Sequence, residues 1–323
     1  MFVMDARHYS FILIIVLFSA AETRKKGCPP QEDIPECVCT SSDWMICKNI
    51  MTPHQLLSIM NVISDYTLYR MSIFDSELMY LPNGMFKNLP MTHLTFSSCS
   101  IYGWESENGS VAFAGAEESL NSISLRDIKG IKSWNWSVFA ALKNLQSLDI
   151  VSSELGPISE NFKHIPSEKL ETLFISNCEV DYIEPRAFSK YENLRWLTLE
   201  NITLTKVNRS MLPTIARRLE SISFTGNKLR NLPEDIFTNM PVLEAVYLNN
   251  NHFHHLPFEV VKPIINNKNW RVVLMDNDIY CCSDMSWVIP FGLKIPAICK
   301  YPQHLRGFQL GLLRKSDFDH GVC

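Results

Sequence analysis

The sequence lacks features that would indicate a membrane or nucleic-acid protein. After residue 21, no segment approaches the ~18 uninterrupted apolar residues of a membrane-spanning helix. Apart from the short run Arg24-Lys25-Lys26, basic residues are not clustered, and the formal net charge is −4. No hydrophobic tail precedes Cys323, which argues against a lipid anchor. We therefore expect neither a membrane anchor nor a nucleic-acid partner.

Motifs of common catalytic sites are also missing. The sequence contains no glycine-rich phosphate-binding loop, no HExxH helix and no GxSxG nucleophile elbow. The nearest approach to a metal site is the segment 251–259, NHFHHLPFE. Two of its apolar residues, Phe253 and Leu256, fit the repeat described below, so we interpret its histidines as decoration of a turn. We predict a protein that is not an enzyme and that has no cofactor and no bound metal.

The amino-terminal residues have the pattern of a secretory signal peptide. Arg7 and His8 precede the apolar run Phe11 to Phe18, and Ser19-Ala20-Ala21 supplies small residues for cleavage after residue 21. Ten cysteines fit an oxidising compartment. We predict a secreted, extracellular glycoprotein whose residues 1–21 are removed. Its candidate N-glycosylation sites are Asn108, Asn135, Asn201 and Asn208.

A frame of apolar positions repeats along the rest of the chain. The segment 219–229 reads LESISFTGNKL and fits the pattern L-x-x-L-x-L-x-x-N-x-L. A period of about 20–29 residues with this frame is typical of the leucine-rich repeat. The sequence thus predicts an α/β-type solenoid, a leucine-rich-repeat horseshoe with a parallel concave sheet and about nine repeats. The copies begin at Leu68, Met91, Leu120, Leu145, Leu170, Leu194, Leu219, Leu243 and Asn269.

The frame has a physical explanation. Each copy begins with a short strand whose fourth and sixth positions point into the core. At the ninth position an Asn side chain can bond backbone groups that the turn leaves unpaired. Asn227, Asn251 and Asn277 keep this residue, whereas Cys99 and Cys178 stand at the same frame position. We therefore predict that these two cysteines are buried and unpaired and do not act as nucleophiles.

The other eight cysteines form two clusters, one at each end of the repeats. Stacked repeats leave a hydrophobic face at both ends, and loop-rich caps with little core gain stability from disulfides. We predict a cap at residues 22–67, repeats at 68–279 and a second cap at 280–323, with Trp287 plugging the core. Zinc is the competing interpretation, but the spacing C-x8-C-x-C-x7-C lacks paired C-x2-C knuckles. The clusters are Cys28, Cys37, Cys39 and Cys47, and Cys281, Cys282, Cys299 and Cys323.

With caps and repeats in view, the chain resembles secreted arthropod leucine-rich-repeat proteins related to the non-catalytic subunit of Oplophorus-luciferin 2-monooxygenase. The resemblance lies in residues 28–50, CPPQEDIPECVCTSSDWMICKNI, and residues 276–310, DNDIYCCSDMSWVIPFGLKIPAICKYPQHLRGFQL. It implies a scaffold or stabilising subunit whose catalytic chemistry resides in another chain. It also implies the disulfides Cys28–Cys39 and Cys37–Cys47, and bonds from Cys281 and Cys282 to Cys299 and Cys323 in an order left open.

The candidate binding surface is the concave face, which we define as the third, fifth and seventh frame positions of the strands. These side chains alternate outward and align from repeat to repeat. Most are small and polar, as on a solvated face, but aromatics with charged neighbours are typical of binding hot spots. Single exposed aromatics are also normal, and a glycan or the insertion between the copies at Met91 and Leu120 would cover them. The candidate partner-binding residues are Phe174, Trp196, Tyr247, Arg126, Asp149 and Glu200.

The sequence thus favours a secreted, non-enzymatic scaffold that binds protein partners. Two roles remain open. One is an accessory subunit of a secreted complex with a catalytic chain, and the other is a recognition module for matrix, receptor or innate-immune type ligands. An enzyme is the third hypothesis. The sequence gives no signal for or against a homo-oligomer.

Overall fold

The computed structural model describes residues 24–87, 89–104, 112–131 and 134–318. The predicted signal peptide, the sequon at Asn108 and Cys323 lie outside the described residues. The strands are β1 (Cys37–Ser41), β2 (Trp44–Lys48), β3 (Arg70–Phe74), β4 (Glu77–Leu78), β5 (His93–Ile101), β6 (Ser122–Lys129), β7 (Ser147–Val151), β8 (Thr172–Ser176), β9 (Trp196–Glu200), β10 (Ser221–Ser223), β11 (Ala245–Tyr247), β12 (Arg271–Val273), β13 (Ile279–Tyr280) and β14 (Cys299–Tyr301). The helices are α1 (Pro53–Ile63) and α2 (Phe258–Val261), with 3-10 helices at Gln31–Asp33, Trp136–Phe139, Glu160–His164, Arg209–Met211, Ser283–Lys294, Gln303–Leu305, Leu310–Leu312 and Lys315–Phe318.

One sheet runs through the described part of the molecule. It has 12 strands in the order β1-β2-β3-β5-β6-β7-β8-β9-β10-β11-β12, with β4 pairing beside β3 on β5. Only β1 runs antiparallel, and every other pair is parallel. Each of the nine predicted frame copies contributes one strand, which begins two residues after the start of the copy. The predicted solenoid with a parallel sheet is confirmed.

Stacked aliphatic and aromatic side chains fill the interior. In β9, for example, Leu197 and Leu199 occupy the fourth and sixth frame positions and are buried. Phenylalanines of successive repeats stack behind the sheet, with ring centroids 5.8 Å apart between Phe86 and Phe113 and 5.2 Å apart between Phe113 and Phe139. No single repeat buries its own apolar face, so each repeat depends on its neighbours for its core.

The ninth frame position forms a polar ladder between repeats. Asn227 Oδ1 accepts hydrogen bonds from the backbone of Ile202 and Leu204 in the preceding repeat, at 3.2 and 3.0 Å. Its Nδ2 donates to the carbonyls of Leu199 and Phe224, both at 2.8 Å. Asn227 is buried, so these bonds satisfy backbone groups that water cannot reach.

Isoleucine and serine also take part in this ladder, which the frame did not predict. Ser153 Oγ accepts from the backbone N–H of Ile128, at 3.1 Å, and Ser76 Oγ accepts from Ile50, at 3.0 Å. Where a repeat has Ile at the ninth position, the next repeat therefore supplies the acceptor. In chain order the residues are Ile50, Ser76, Cys99, Ile128, Ser153, Cys178, Ile202, Asn227, Asn251 and Asn277.

The two cysteines of the ladder are free and buried, as their frame position predicts. Cys99 Sγ donates to the carbonyls of Ile73 and Ser97, at 3.4 and 3.3 Å. Cys178, three repeats later in the chain, makes the equivalent contacts with the carbonyls of Ile150 and Ser176. Burial raises the pKa of both thiols above their usual range.

A second regular row lies at the eighth frame position, where the backbone of every repeat has a positive φ angle. A left-handed residue is needed here because the chain must leave the strand sharply, and Asn, Asp and Gly accept this conformation at least cost. The row consists of Asn49, Asp75, Ser98, Asp127, Ser152, Asn177, Asn201, Gly226, Asn250 and Asp276.

The amino-terminal cap closes the first end of the core. The hydroxyl of Thr52 accepts from the backbone of Gln55, at 3.1 Å, and Pro53 begins α1, which together fix the start of this helix. The helix buries one face, formed by Leu56, Ile59, Met60 and Ile63. The structure pairs Cys28 with Cys39 and Cys37 with Cys47, which is the pairing that the resemblance implies.

The carboxyl-terminal cap differs from the prediction in its plug. Cys281 pairs with Cys299, and Cys282 is also disulfide-bonded. In the 3-10 helix Ser283–Lys294, Met285 and Val288 are buried, whereas Trp287 is half-buried. Its indole N–H donates to the carbonyl of Leu256, at 3.0 Å, which holds the ring at the edge of the core.

Candidate functional site

The register of the sheet sets the positions of the candidate residues on the concave face. Asp149, Phe174 and Tyr247 lie in the fifth-position row, on β7, β8 and β11. Trp196 lies in the third-position row of β9, directly opposite Thr172 and Ser221. At about 4.8 Å per strand, Trp196 and Tyr247 are separated by roughly 10 Å across the sheet. The predicted residues thus lie on one face but do not form one compact cluster.

Trp196 belongs to a group that the sequence analysis missed. The guanidinium of Arg195 lies 4.3 Å from the centre of the Trp196 ring. Arg195 also binds Glu220, with Nη2 2.8 Å from Oε1, and approaches Glu171 at 3.9 Å. Trp196 is 38% exposed, so the arginine fixes the ring and leaves much of it open to solvent. The sequence signal for this group is the alternation of charge at the second frame position, where Glu171, Arg195 and Glu220 follow one another in successive repeats.

Tyr247 forms a second platform of the same kind. The guanidinium of Arg271 lies 5.1 Å from the centre of the Tyr247 ring, and Arg271 also donates to the hydroxyl oxygen of this tyrosine. Tyr247 and Phe174 are half-buried. The face therefore carries two aromatic rings, Trp196 and Tyr247, that are each held by a stacked arginine.

The charged candidates are engaged within the sheet. Partial burial raises the pKa of the Asp149 carboxyl, against the opposing effects of a hydrogen bond from Ser147 and the positive charge of Arg126. Arg126 Nε donates to Ser124 Oγ, at 3.0 Å. Glu200 accepts a hydrogen bond from the hydroxyl of Ser223. These contacts orient the side chains, so the face is pre-organised on its charged positions as well as on its rings.

Part of the serine-rich strip is buried, although the sequence indicated a solvated face. Ser72, Ser124 and Ser223 are each less than 10% exposed. Their larger neighbours cover them: the indole N–H of Trp44 donates to Ser72 Oγ at 3.1 Å. Trp44 is itself exposed on the concave face, beside Arg70 of β3. The frame does not predict this ring, because Trp44 lies in the cap, before the first frame copy.

The remaining predicted features lie on exposed surface. Asn135, Asn201 and Asn208 are exposed, and Asn135 Oδ1 accepts from the backbone and hydroxyl of Ser137 within its own sequon.

The ring of His254 stacks on Tyr280, with centroids 4.5 Å apart. Within the described ranges, no group of three His, Cys, Asp or Glu residues could hold a metal ion. No helix of the described residues is long and apolar enough to cross a membrane.

Comparison with known proteins identifies the repeat. A family model for BspA type leucine rich repeat regions matches residues 158–257 in 6 copies. The fold is a leucine-rich-repeat solenoid. A chain in the solved structure of the octameric complex of Latrophilin 3 (Lec, Olf), Unc5D (Ig, Ig2, TSP1) and FLRT2 (LRR) superimposes with a TM-score of 0.60 at 17% identity, over 86% of this chain and 90% of that chain. At this identity the likeness shows the fold alone.

Two curated leucine-rich-repeat relatives match part of the solenoid. The chain is 23% identical to osteomodulin of Rattus norvegicus over 210 residues, covering 56% of this chain and 48% of the relative. It is 31% identical to leucine-rich repeat-containing G-protein coupled receptor 5 of Xenopus tropicalis over 124 residues, covering 36% of this chain and 13% of the receptor. The chain thus spans about half or less of the relatives that it matches. Both relatives are from vertebrates, and the arthropod subfamily stays a prediction.

Proposed function

We propose that this leucine-rich-repeat protein is a secreted, non-enzymatic scaffold that binds a protein partner on its concave face. The observation that carries the proposal is the pair of rings, Trp196 and Tyr247, each stacked against an arginine on a rigid sheet. Rings that are already ordered lose little conformational entropy on binding. Tryptophan, tyrosine and arginine are also the residues in which binding hot spots are richest.

The partner's role separates two versions of this function. The likeness of both caps to the non-catalytic subunit of Oplophorus-luciferin 2-monooxygenase supports an accessory subunit of a secreted monooxygenase complex. The partial match to a receptor supports a recognition module for matrix, receptor or innate-immune ligands instead. An accessory subunit holds its catalytic chain permanently, whereas a recognition module binds its ligand on encounter.

A pull-down of the tagged chain from its native secretion, followed by mass spectrometry, tests these roles. A single partner in near-equal amount supports the accessory subunit. A solenoid that is recovered alone, but captures a protein from a matrix or receptor array, supports the recognition module. Catalytic turnover by the purified chain alone would overturn the proposal that it is not an enzyme.

The concave face is tested on whichever partner is found. The double change Phe174→Ala and Trp196→Ala should weaken binding roughly tenfold or more, because hot-spot residues each contribute more than about 1 kcal/mol. The matched control is Phe308→Ala with Leu312→Ala, which removes two side chains that are exposed on the carboxyl-terminal cap. If both double variants bind equally well, the concave face is not the binding surface.

Secretion and glycosylation have a separate test. Expression of the full chain in a secretory cell should release a protein that begins after residue 21, with glycans on the exposed sequons Asn135, Asn201 and Asn208. Each Asn→Gln change at an occupied sequon should lower the mass by one glycan. A protein retained inside the cell with residues 1–21 attached would contradict this part of the proposal.

A further inference from the structure

A row of basic side chains lies on the flank of the solenoid, outside the concave face. It belongs to two short segments, 228–231 and 252–255, which follow the ladder residues of two neighbouring repeats. The side chains at the tenth and twelfth frame positions of these segments are exposed or half-exposed, and the apolar residue between them is buried. We call this row the basic strip and define it by Lys228, Arg230, His252 and His254.

Backbone hydrogen bonds between repeats hold the strip together. The N–H of His252 donates to the carbonyl of Leu229, at 2.8 Å. Because Leu229 is flanked by two strip residues, Lys228 and Arg230, this bond places the histidine beside both. The N–H of Lys228 donates in turn to the carbonyl of Leu204 in the preceding repeat, also at 2.8 Å. The solenoid therefore fixes the backbone positions from which these side chains extend.

The cations of the strip have no acidic partner. Neither Lys228 nor Arg230 forms an ion pair with another described residue. The two segments that carry the strip contain no Asp or Glu, and the same is true of residues 203–206 in the preceding repeat, which end in Lys206. The sequence does not show this cluster, because its members come from separate repeats and the formal net charge of the chain is −4.

Acidic side chains limit the strip at both ends. At the same tenth and twelfth frame positions, two repeats before Lys228, the chain carries Glu179 and Asp181. After His254 the tenth frame position of the next repeat is Asp278, which binds Lys300 at 3.4 Å. The positive charge is thus confined to one part of the flank, and it is not a general property of the surface.

The geometry points to a sulfated polysaccharide as the ligand of the basic strip. A row of bases without acidic neighbours attracts polyanions, and clusters of basic residues are typical of heparin-binding surfaces. Ammonium and guanidinium groups form charge-assisted hydrogen bonds with anionic oxygens, which sulfate groups present along the whole polysaccharide. The two repeats that carry the strip contain no N-glycosylation sequon, so no N-glycan attached to them covers it.

An acidic protein segment fits the strip less well. Protein interfaces are anchored by large aromatic or apolar side chains in desolvated pockets. No large apolar side chain of the two strip segments is exposed, so the strip offers charge without such an anchor. The inference rests on the proposed secretion, because sulfated polysaccharides are extracellular. It concerns a surface other than the proposed partner-binding face.

Binding to immobilised heparin tests the inference. The analyte is the secreted full chain with its disulfides and glycans in place, and surface plasmon resonance measures its affinity. The affinity should fall steeply as sodium chloride is added, because salt screens contacts between exposed charges. Chemically desulfated heparin should bind much more weakly than heparin. Soluble poly-glutamate, which stands for an acidic protein segment, should compete poorly.

Charge variants locate the site. Lys228→Gln with Arg230→Gln should weaken heparin binding roughly three- to tenfold, because two exposed charge contacts are lost. The control is Lys87→Gln with Lys143→Gln, which removes the same charge from exposed positions outside the strip and should change the affinity less than about twofold. The exchange Lys228→Arg with Arg230→Lys keeps the charge and should bind heparin as the unchanged protein does.

Four results would each overturn the proposal. The first is that the unchanged protein does not bind heparin at physiological salt. The second is equal binding of desulfated heparin or of poly-glutamate. The third is an equal loss in the two glutamine double variants, which would assign the attraction to the overall charge. The fourth is a loss of heparin binding in the concave-face variant Phe174→Ala with Trp196→Ala. The assay needs no protein partner, so its failure is distinguishable from failure of the concave-face proposal.

Discussion

The change Asn227→Ala tests the ladder that joins the repeats. It removes the acceptor of two buried backbone N–H groups, those of Ile202 and Leu204, and the donor to the carbonyl of Leu199. The carbonyl of Phe224 also loses a hydrogen bond, but it keeps a second one from Asn251, at 2.9 Å, so this loss costs less free energy. A buried N–H without a partner costs about 1–3 kcal/mol, so the loss in free energy of unfolding should be about 2–5 kcal/mol.

Urea unfolding with intact disulfides, followed by circular dichroism, measures this loss. The matched control is Asn231→Ala in the same repeat, an exposed residue whose change should stay within about 0.5 kcal/mol. Ser153→Ala orphans one N–H, that of Ile128, and removes a hydrogen bond to the carbonyl of Val151, so its loss in stability should fall between the two. Hydrogen exchange at Ile202 should also become faster in Asn227→Ala. If Asn227→Ala is no less stable than Asn231→Ala, the ladder does not hold the repeats together.

Two further predictions follow from burial and backbone conformation. Burial raises the pKa of the thiols of Cys99 and Cys178, so a thiol reagent at mildly alkaline pH should label the native protein far more slowly than the urea-unfolded protein. As the pH rises, the thiols of the unfolded chain lose their protons before those of the native protein, so the free energy of unfolding should fall above about pH 8.5. Equal labelling of the two states, or a rise in stability in this pH range, would contradict the burial of the two thiols. Gly226→Ala should lower the thermal unfolding temperature, because φ is +72° and the new Cβ would lie 1.7 Å from Asn201 Oδ1. Gly84→Ala, with φ of +66° and no atom within 4 Å, should cost less, and an equal loss would show that only φ matters.

The sequence predicted the sheet because its signal is local and periodic. Leucine at fixed offsets places one strand in each repeat, and stacking then leaves a single arrangement of the strands. The ladder was predicted only where the frame residue is Asn or Cys. The roles of Ser153 and Ile128 were not predicted, because the serine serves a backbone group 25 residues earlier in the chain.

The candidate site was predicted less completely, for two physical reasons. The frame tells which residues face outward, as for Trp196, but not how a long side chain bends, so the stacking of Arg195 was missed. The frame also says nothing about the segments between strands. Trp134 and Glu179, for example, line one pocket because two such segments pack against each other.

The ladder also limits how such a chain can be lengthened or shortened by recombination. Its order repeats Ile-Ser-Cys twice, from Ile50 to Cys99 and from Ile128 to Cys178, before the run that ends in Asn277. Each Ile repeat needs a repeat with an acceptor immediately after it. Exchange of three successive repeats, one each with Ile, Ser and Cys in the ladder, keeps this order. Removal of the Ser153 repeat alone would instead place the thiol of Cys178, a weak acceptor, next to the N–H of Ile128. Recombination that moves the Ile, Ser and Cys repeats together therefore keeps the acceptors of Ile50 and Ile128 in place.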